Sequence, residues 1–281
     1  MNINSETKQY CLIGDPIKNS FSPEIHNYLF DKNNINSIYT CIRIEKENLM
    51  KFVDGAKVMD IKGFNVTVPH KVDIISFLDE IDSNAIIIGA VNTVKNENGI
   101  LKGYNTDGRG FLKAITDRGM DIKGKKALII GAGGAARSIA VELASAGIGE
   151  IGISNRTIEK AEIIKNIVES NFETKVGVLK EKPGKSYIEK FDYLINTTSM
   201  GMDSNECPID KNINVDKKIA VYDIVYKPHK TELIKWAEKN NLDIIYGIEM
   251  LINQGFEAFE IWTGVKPNKQ DCDYLIEKRV L

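Results

Sequence analysis

Between positions 124 and 247, short apolar runs alternate with longer segments of helical periodicity. The runs at 127–131, 151–154, 174–179, 191–196, 218–223 and 243–246 predict strands. The segments 135–147, 157–171 and 229–240 predict helices. Alternation of this kind belongs to a doubly wound α/β sheet, and six strands make a full dinucleotide-binding domain.

The flanks follow a different rhythm. Strands are predicted at 10–13, 38–42, 63–68 and 91–94, with helices near 22–31, 45–56 and 70–79. The tail from Met250 to Leu281 reads as two helical stretches separated by Gly264 and Pro267. A central cofactor domain leaves both flanks on one side of it. The predicted architecture is therefore α/β with two domains. Residues 1–107 and 248–281 form a substrate-binding domain, and residues 108–247 form a Rossmann domain. The cleft between them is the expected active site. The chain shows no internal repeat and no low-complexity linker.

The connection after the run at 127–131 carries chemistry. Gly131, Ala132, Gly133, Gly134 and Ala135 lead into a helix, and Ala136 stands where a third glycine is usual. Such a loop lets the backbone turn tightly and approach a pyrophosphate, and the helix N-terminus aims free N–H groups at it. Glycine also suits any tight strand-to-helix turn, so the next strand decides more. It ends at Asn155, Arg156 and Thr157, with Lys160 one turn further on. An NAD-binding chain usually places an acid there for the ribose 2′-hydroxyl. Two cations and no acid favour a 2′-phosphate, hence NADP(H), and the planar fork of Arg suits phosphate oxygens.

Composition narrows the class. The 281 residues are 43% hydrophobic and 27% charged with a net charge of −2, which fits a globular protein with ample core. That balance gives no sign of nucleic acid or an anionic membrane surface as partner. Cys11, Cys41, Cys207 and Cys272 are scattered, which predicts free thiols in a reducing cytosol. With His26, His70 and His229 as the only histidines, no metal site is expected. The polar N-terminus and the lack of a long apolar run predict a cytoplasmic protein.

Four stretches in the flanks place polar side chains against local rules. Ser20 and Ser22 flank Phe21 ahead of Pro23, which reads as an N-cap at Ser22 with Pro at the first helical position. Hydroxyls and free amides there also suit a carboxylate. In 65–68, Val66 and Val68 alternate with Asn65 and Thr67, predicting one apolar and one polar strand face. Pro69 stops that strand, and Lys71 falls in the first turn of the predicted helix, where the macrodipole disfavours a cation. Asn92 follows the Gly89–Ala90 pair, and Asp107 sits where the first domain hands over to the second.

The stretches NSFSP (19–23), NVTVPHK (65–71), GAVNT (89–93), NTDG (105–108), GAGGAA (131–136) and NRT (155–157) closely resemble shikimate dehydrogenases. YDIVY (222–226) and MLINQG (250–255) extend the match, which runs in order from residue 9 to 265. The resemblance implies reversible NADPH-dependent reduction of 3-dehydroshikimate to shikimate, on the route to chorismate and the aromatic amino acids. It implies that Ser20, Ser22 and Tyr226 hold the substrate carboxylate. Thr67, Lys71, Asn92, Asp107 and Gln254 would contact the ring hydroxyls. Lys71 matches the family's catalytic lysine and Asp107 its partner acid. Ile224 and Gly247 match positions at the nicotinamide end of the cofactor. Three positions depart from the common pattern. Phe21 replaces a smaller or basic residue, Ile224 a frequent Met, and Lys160 an Arg that often completes the phosphate clamp. The last change keeps charge but loses the fork. Rival readings are a quinate/shikimate dehydrogenase using NAD(P), a folate-linked dehydrogenase, and a non-catalytic NADP-binding sensor. Monomer and homodimer both remain open.

Overall fold

The computed structural model describes residues 3–18, 20–180 and 182–280. The chain separates into two compact units. One holds the residues up to Thr106 together with Gln254–Leu275, and the other holds Asp107–Asn253 with the residues from Ile276 on.

The first unit contains β1 (Lys8–Gly14), α1 (Ser22–Lys32), β2 (Ser37–Arg43), α2 (Leu49–Val58), β3 (Gly63–Val66), β4 (Glu80–Ile81), α3 (Ser83–Ile88), β5 (Thr93–Glu97) and β6 (Ile100–Tyr104). Its sheet has the order β2-β1-β3-β5-β6-β4. β1 is parallel to β2 and β3, whereas β5 runs antiparallel to β3 and β6. β1 alternates between two cores. Cys11 and Ile13 face a cluster with Phe52, Val53, Phe64 and Val94. Tyr10 packs on Phe30 and Trp262, with ring centroids 5.1 and 5.0 Å away.

The second unit contains α4 (Asp107–Thr116), β7 (Lys126–Ile130), α5 (Gly134–Ser145), β8 (Glu150–Ser154), α6 (Ile158–Asn171), β9 (Lys175–Leu179), α7 (Lys185–Ile188), β10 (Tyr193–Asn196), β11 (Ala220–Asp223), α8 (Glu232–Lys239) and β12 (Asp243–Tyr246). α9 (Gly247–Thr263) and α10 (Lys269–Val280) follow, and the division between the units falls within each of them. The sheet order is β12-β11-β10-β7-β8-β9 with every pair parallel. This is the doubly wound order of dinucleotide-binding sheets, with its switch point between β7 and β10. The central strands β7, β8, β10 and β11 are largely buried on both faces, so they read as continuous apolar runs in the sequence.

The first unit departs from the sequence expectation in several places. The strand expected over 63–68 ends at Val66, and all four of its residues are buried, Asn65 included. Val68 is exposed, so the predicted division into an apolar and a polar face does not hold. No α-helix covers 70–79; Lys71 lies in a turn ahead of a short 3₁₀ segment, Asp73–Phe77. The electrostatic misplacement of Lys71 on a helix therefore falls away, because five residues of 3₁₀ carry little dipole. The β5–β6 hairpin was not expected. Asn98 and Gly99 both have positive φ (56° and 90°), and an Asn-Gly pair is the signal for such a turn. All four cysteines are free. Among the described residues, no helix is long and apolar enough to cross a membrane.

Candidate active site

The polar stretches of the first unit meet in a buried hydrogen-bond network. Tyr39 Oη donates to Asn65 Oδ1 at 2.7 Å. Asn65 Nδ2 donates to the Asn92 carbonyl (3.2 Å) and to Thr93 Oγ1 (3.0 Å). Asn92 Oδ1 accepts from the Thr106 amide (2.8 Å) and from Thr93 Oγ1 (3.0 Å), while Asn92 Nδ2 donates to Thr106 Oγ1 (3.0 Å). These side chains lie inside the sheet, where unbonded amides would be costly, and the network satisfies them. At the other end, burial pushes the Tyr39 pKa well above its ordinary value, and a side-chain hydrogen bond with Ser22 opposes that rise. His26 stacks on Tyr39 with centroids 4.4 Å apart, and burial lowers its pKa to about 3. Sequence reading found Ser22 and Asn92 but missed Tyr39, Asn65 and Thr106. A lone amide within a strand was the available signal for Asn65.

Ser22 is not the N-cap of α1. Phe21 occupies that position, and Ser22 opens the helix, with its amide donating to Ser20 Oγ at 3.2 Å. Thr67 leaves β3 with its amide on the Ile13 carbonyl (2.9 Å), half-buried. The Lys71 carbonyl accepts from the Val91 amide at 2.7 Å, which places the lysine backbone one residue from Asn92. Lys71 is itself half-buried. His70, its neighbour, is buried with Nε2 on the Ile44 carbonyl at 2.7 Å, a packing role. Gln254 is half-buried on α9, beside the Gly255 that packs against Ile25 and His26.

In the second unit, the loop at 131–134 lies at the switch point. Gly131 has φ +110°, and a Cβ there would fall 2.5 Å from Thr197 Oγ1, so this position accepts only glycine. A Cβ at Gly133 or Gly134 would meet nothing within 4 Å, so this edge of the loop faces open space. α5 begins with Gly133 as N-cap and no side-chain cap, leaving the first-turn N–H groups, Ala135 among them, to a ligand. Ala132 is half-buried. Beyond β8, Asn155 Nδ2 donates to the Thr157 carbonyl (2.7 Å) and sets the turn into α6. Thr157 is the N-cap of α6 and is exposed. Arg156 and Lys160 are exposed, and among the described residues neither forms an ion pair. An open glycine loop, an uncapped helix and two unpaired cations fit a phosphorylated dinucleotide.

The remaining positions also lie in this unit. Asp107 opens α4 and is half-buried. Tyr226 lines a cavity of about 340 Å³ with Lys227, His229, Ile248 and Arg279. Ile224 donates its amide to the Asn196 carbonyl (3.1 Å). Gly247 is pressed against it, and a Cβ there would lie 2.4 Å from the Ile224 carbonyl oxygen.

With both sites described, comparison with known proteins adds lineage. Residues 12–94 match the shikimate dehydrogenase substrate binding domain, 113–224 match shikimate/quinate 5-dehydrogenase, and 247–272 match the shikimate 5′-dehydrogenase C-terminal domain. A shikimate dehydrogenase (NADP(+)) of Caldanaerobacter subterraneus is 43% identical over 99% of this chain and 98% of its own. This chain belongs to the shikimate dehydrogenase family. The shikimate 5-dehydrogenase of Listeria monocytogenes, solved with shikimate and NAD, superposes with a TM-score of 0.92 at 34% identity over 99% of this chain and 98% of its own. A ligand-free 5-ketofructose reductase from Gluconobacter also reaches a TM-score of 0.92, at 33% identity over 98% of this chain and 99% of its own. The shikimate dehydrogenase fold thus also carries other carbonyl reductions, and the side chains of the site must decide which one operates here.

Proposed function

We propose that this chain is an NADP(H)-dependent shikimate dehydrogenase that reversibly reduces 3-dehydroshikimate to shikimate in aromatic amino acid biosynthesis. Residues 1–107 with 248–281 bind the substrate, and 108–247 bind the cofactor. The observation that carries this reading is the pair of exposed, unpaired cations, Arg156 and Lys160, beyond β8. They supply the charge that a 2′-phosphate needs and a 2′-hydroxyl does not.

When bound, NADPH would supply the hydride that the C3 carbonyl carbon accepts. Lys71 meets the negative charge developing on the carbonyl oxygen and passes a proton from Nζ to it, closing the C–O–H bond. In the oxidative direction, Lys71 takes that proton back from the C3 hydroxyl. Asp107 is the partner acid that orients Lys71 and a ring hydroxyl. Asn92, held on its Oδ1 side by Thr106 and Thr93, contacts the ring together with Thr67 and Gln254. Ser20, Ser22 and Tyr226 hold the carboxylate. Gly131, Ala132, Gly133, Gly134 and Ala135 bind the pyrophosphate through backbone N–H groups, while Asn155, Arg156, Thr157 and Lys160 read the 2′-phosphate. Ile224 and Gly247 bear on the nicotinamide. The enzyme acts in the cytoplasm as a monomer or homodimer.

The test is an initial-rate comparison of NADP⁺ and NAD⁺ reduction with shikimate and with quinate. The reading requires the highest kcat/KM with NADP⁺ and shikimate. Equal rates with NAD⁺ would remove the role given to Arg156, and turnover of quinate alone would move the substrate.

A further inference from the structure

Asp223 has no exposed surface, yet the reaction described above does not use it. Among the described residues it forms no ion pair. Its carboxylate rests on neutral donors instead. Thr231 Oγ1 donates to Oδ2 at 2.6 Å, while Asn196 Nδ2 (2.9 Å) and the Val225 amide (3.1 Å) donate to Oδ1. Burial pushes the Asp223 pKa up, and these three bonds hold it down in part. A buried acid without a cation is an expensive way to fill space, and an apolar residue would serve packing better.

The donors come from three separate segments. Thr231 is the N-cap of α8, and its Oγ1 also accepts from the Ile234 amide at 3.3 Å. Asn196 ends β10, and its Oδ1 accepts from the Thr198 amide (3.0 Å) and the Thr198 hydroxyl (2.7 Å). Val225 lies between Ile224 and Tyr226. One carboxylate thereby joins the loop after β10, the segment after β11 and the start of α8. The 224–226 segment is fixed from further sides as well, by the Asn196 carbonyl on the Ile224 amide and by Gly247 against the Ile224 carbonyl.

We infer that Asp223 is a positioning residue, which sets Ile224 against the nicotinamide and Tyr226 against the substrate carboxylate by anchoring the Val225 amide between them. The inference rests on the roles given to Ile224 and Tyr226 under the proposed function. Asp223→Asn should keep most of the effect. Its amide oxygen can stay on the Oδ1 side, where two donors converge, and its NH₂ can turn to a lone pair of Thr231 Oγ1. Asp223→Ala removes all three bonds and takes their acceptor from the Thr231 hydroxyl and the Val225 amide.

The experiment compares both variants with Ile188→Ala, a core truncation in α7, by Tm and by steady-state kinetics with NADP⁺ and shikimate. Asp223→Ala is expected to lose at least about tenfold more kcat than Ile188→Ala at a similar fall in Tm, with Asp223→Asn within about threefold of wild type. Activity that tracks Tm across all three, or an Asn variant no better than Ala, would overturn the inference. If Asp223→Ala does not fold, Asp223→Asn and Thr231→Val carry the test, since both keep the Val225 bond. Both must then hold kcat near wild type despite a lower Tm, and a kcat loss in step with Tm overturns the inference. Absence of wild-type turnover with shikimate and quinate would overturn the activity instead. The anchor would then be read from hydrogen exchange at the Val225 amide, protected in wild type and Asp223→Asn. Equal protection in Asp223→Ala would overturn it.

Discussion

In the parallel sheet of the second unit, β7 is apolar from Ala127 to Ile130, and what it offers a ligand lies beyond its end, in glycines and backbone N–H groups. In the mixed sheet of the first unit, the polar groups lie inside. Asn65 sits within β3, bonded to Tyr39 on one side and to Asn92 and Thr93 on the other. The difference bears on what each unit can change. Loops on an apolar scaffold can exchange a cation for an acid at Arg156 without touching the core. Side chains tied into a buried network cannot change without leaving partners unsatisfied. Cofactor preference should therefore be separable from stability, and substrate recognition should not be.

The largest expected effect on activity is at Lys71, a half-buried side chain of the first unit. Lys71→Ala is expected to lower kcat by about 10²-fold or more while the protein keeps its Tm, as measured by steady-state kinetics and thermal unfolding. Next comes Arg156→Ala in the second unit. Loss of a charge-assisted bond of about 1.5–3 kcal/mol should raise the KM for NADPH by about 10- to 100-fold, with the KM for NADH and the Tm unchanged. Equal changes with both cofactors would break the assignment. Asn65→Ala should show the opposite coupling. It takes the acceptor away from the buried Tyr39 hydroxyl, at about 1–3 kcal/mol for an unsatisfied group. The expected result is a lower Tm together with a shikimate KM raised by about tenfold and an unchanged KM for NADPH.

The smallest effect concerns His26, buried on the same network. Its pKa falls from 6.5 unfolded to about 3 folded, because burial disfavours the imidazolium. Below pH 6.5 the unfolded chain binds a proton that the folded one refuses. The stability this group contributes is therefore whole above pH 6.5 and is lost as pH falls toward 3. Down to about pH 5, above the carboxylate range, the slope from this one group approaches about 1.4 kcal/mol per pH unit. Urea unfolding of His26→Leu between those limits should show a flatter dependence than wild type. Parallel curves would locate the acid sensitivity elsewhere.

The same comparison explains what could be read in advance. The four central strands of the parallel sheet are legible because burial on both faces writes them as apolar runs, and the glycine loop names its own geometry. The mixed sheet hid more. β3 is as buried as any strand, but Asn65 and Thr67 gave it the alternation of a half-exposed one. The β5–β6 hairpin is half charged or polar, and only Asn98-Gly99 marked its turn. Lys71 was found from its motif, although the helix expected around it does not form. Tyr39 and Asp223 escaped because each looks like an ordinary strand residue. Their roles arise from partners distant in sequence, 26 positions for Tyr39 to Asn65 and 27 for Asp223 to Asn196.

The central claim is that Lys71 performs the proton chemistry and that the second unit independently holds the cofactor. The most direct measurement is single-turnover oxidation of NADPH by 3-dehydroshikimate in Lys71→Ala, with NADPH affinity titrated in the same protein. The account predicts a hydride-transfer rate at least about 10²-fold below wild type with an unchanged Kd for NADPH. A wild-type rate in the folded variant, or a loss explained by weaker NADPH binding, would contradict it.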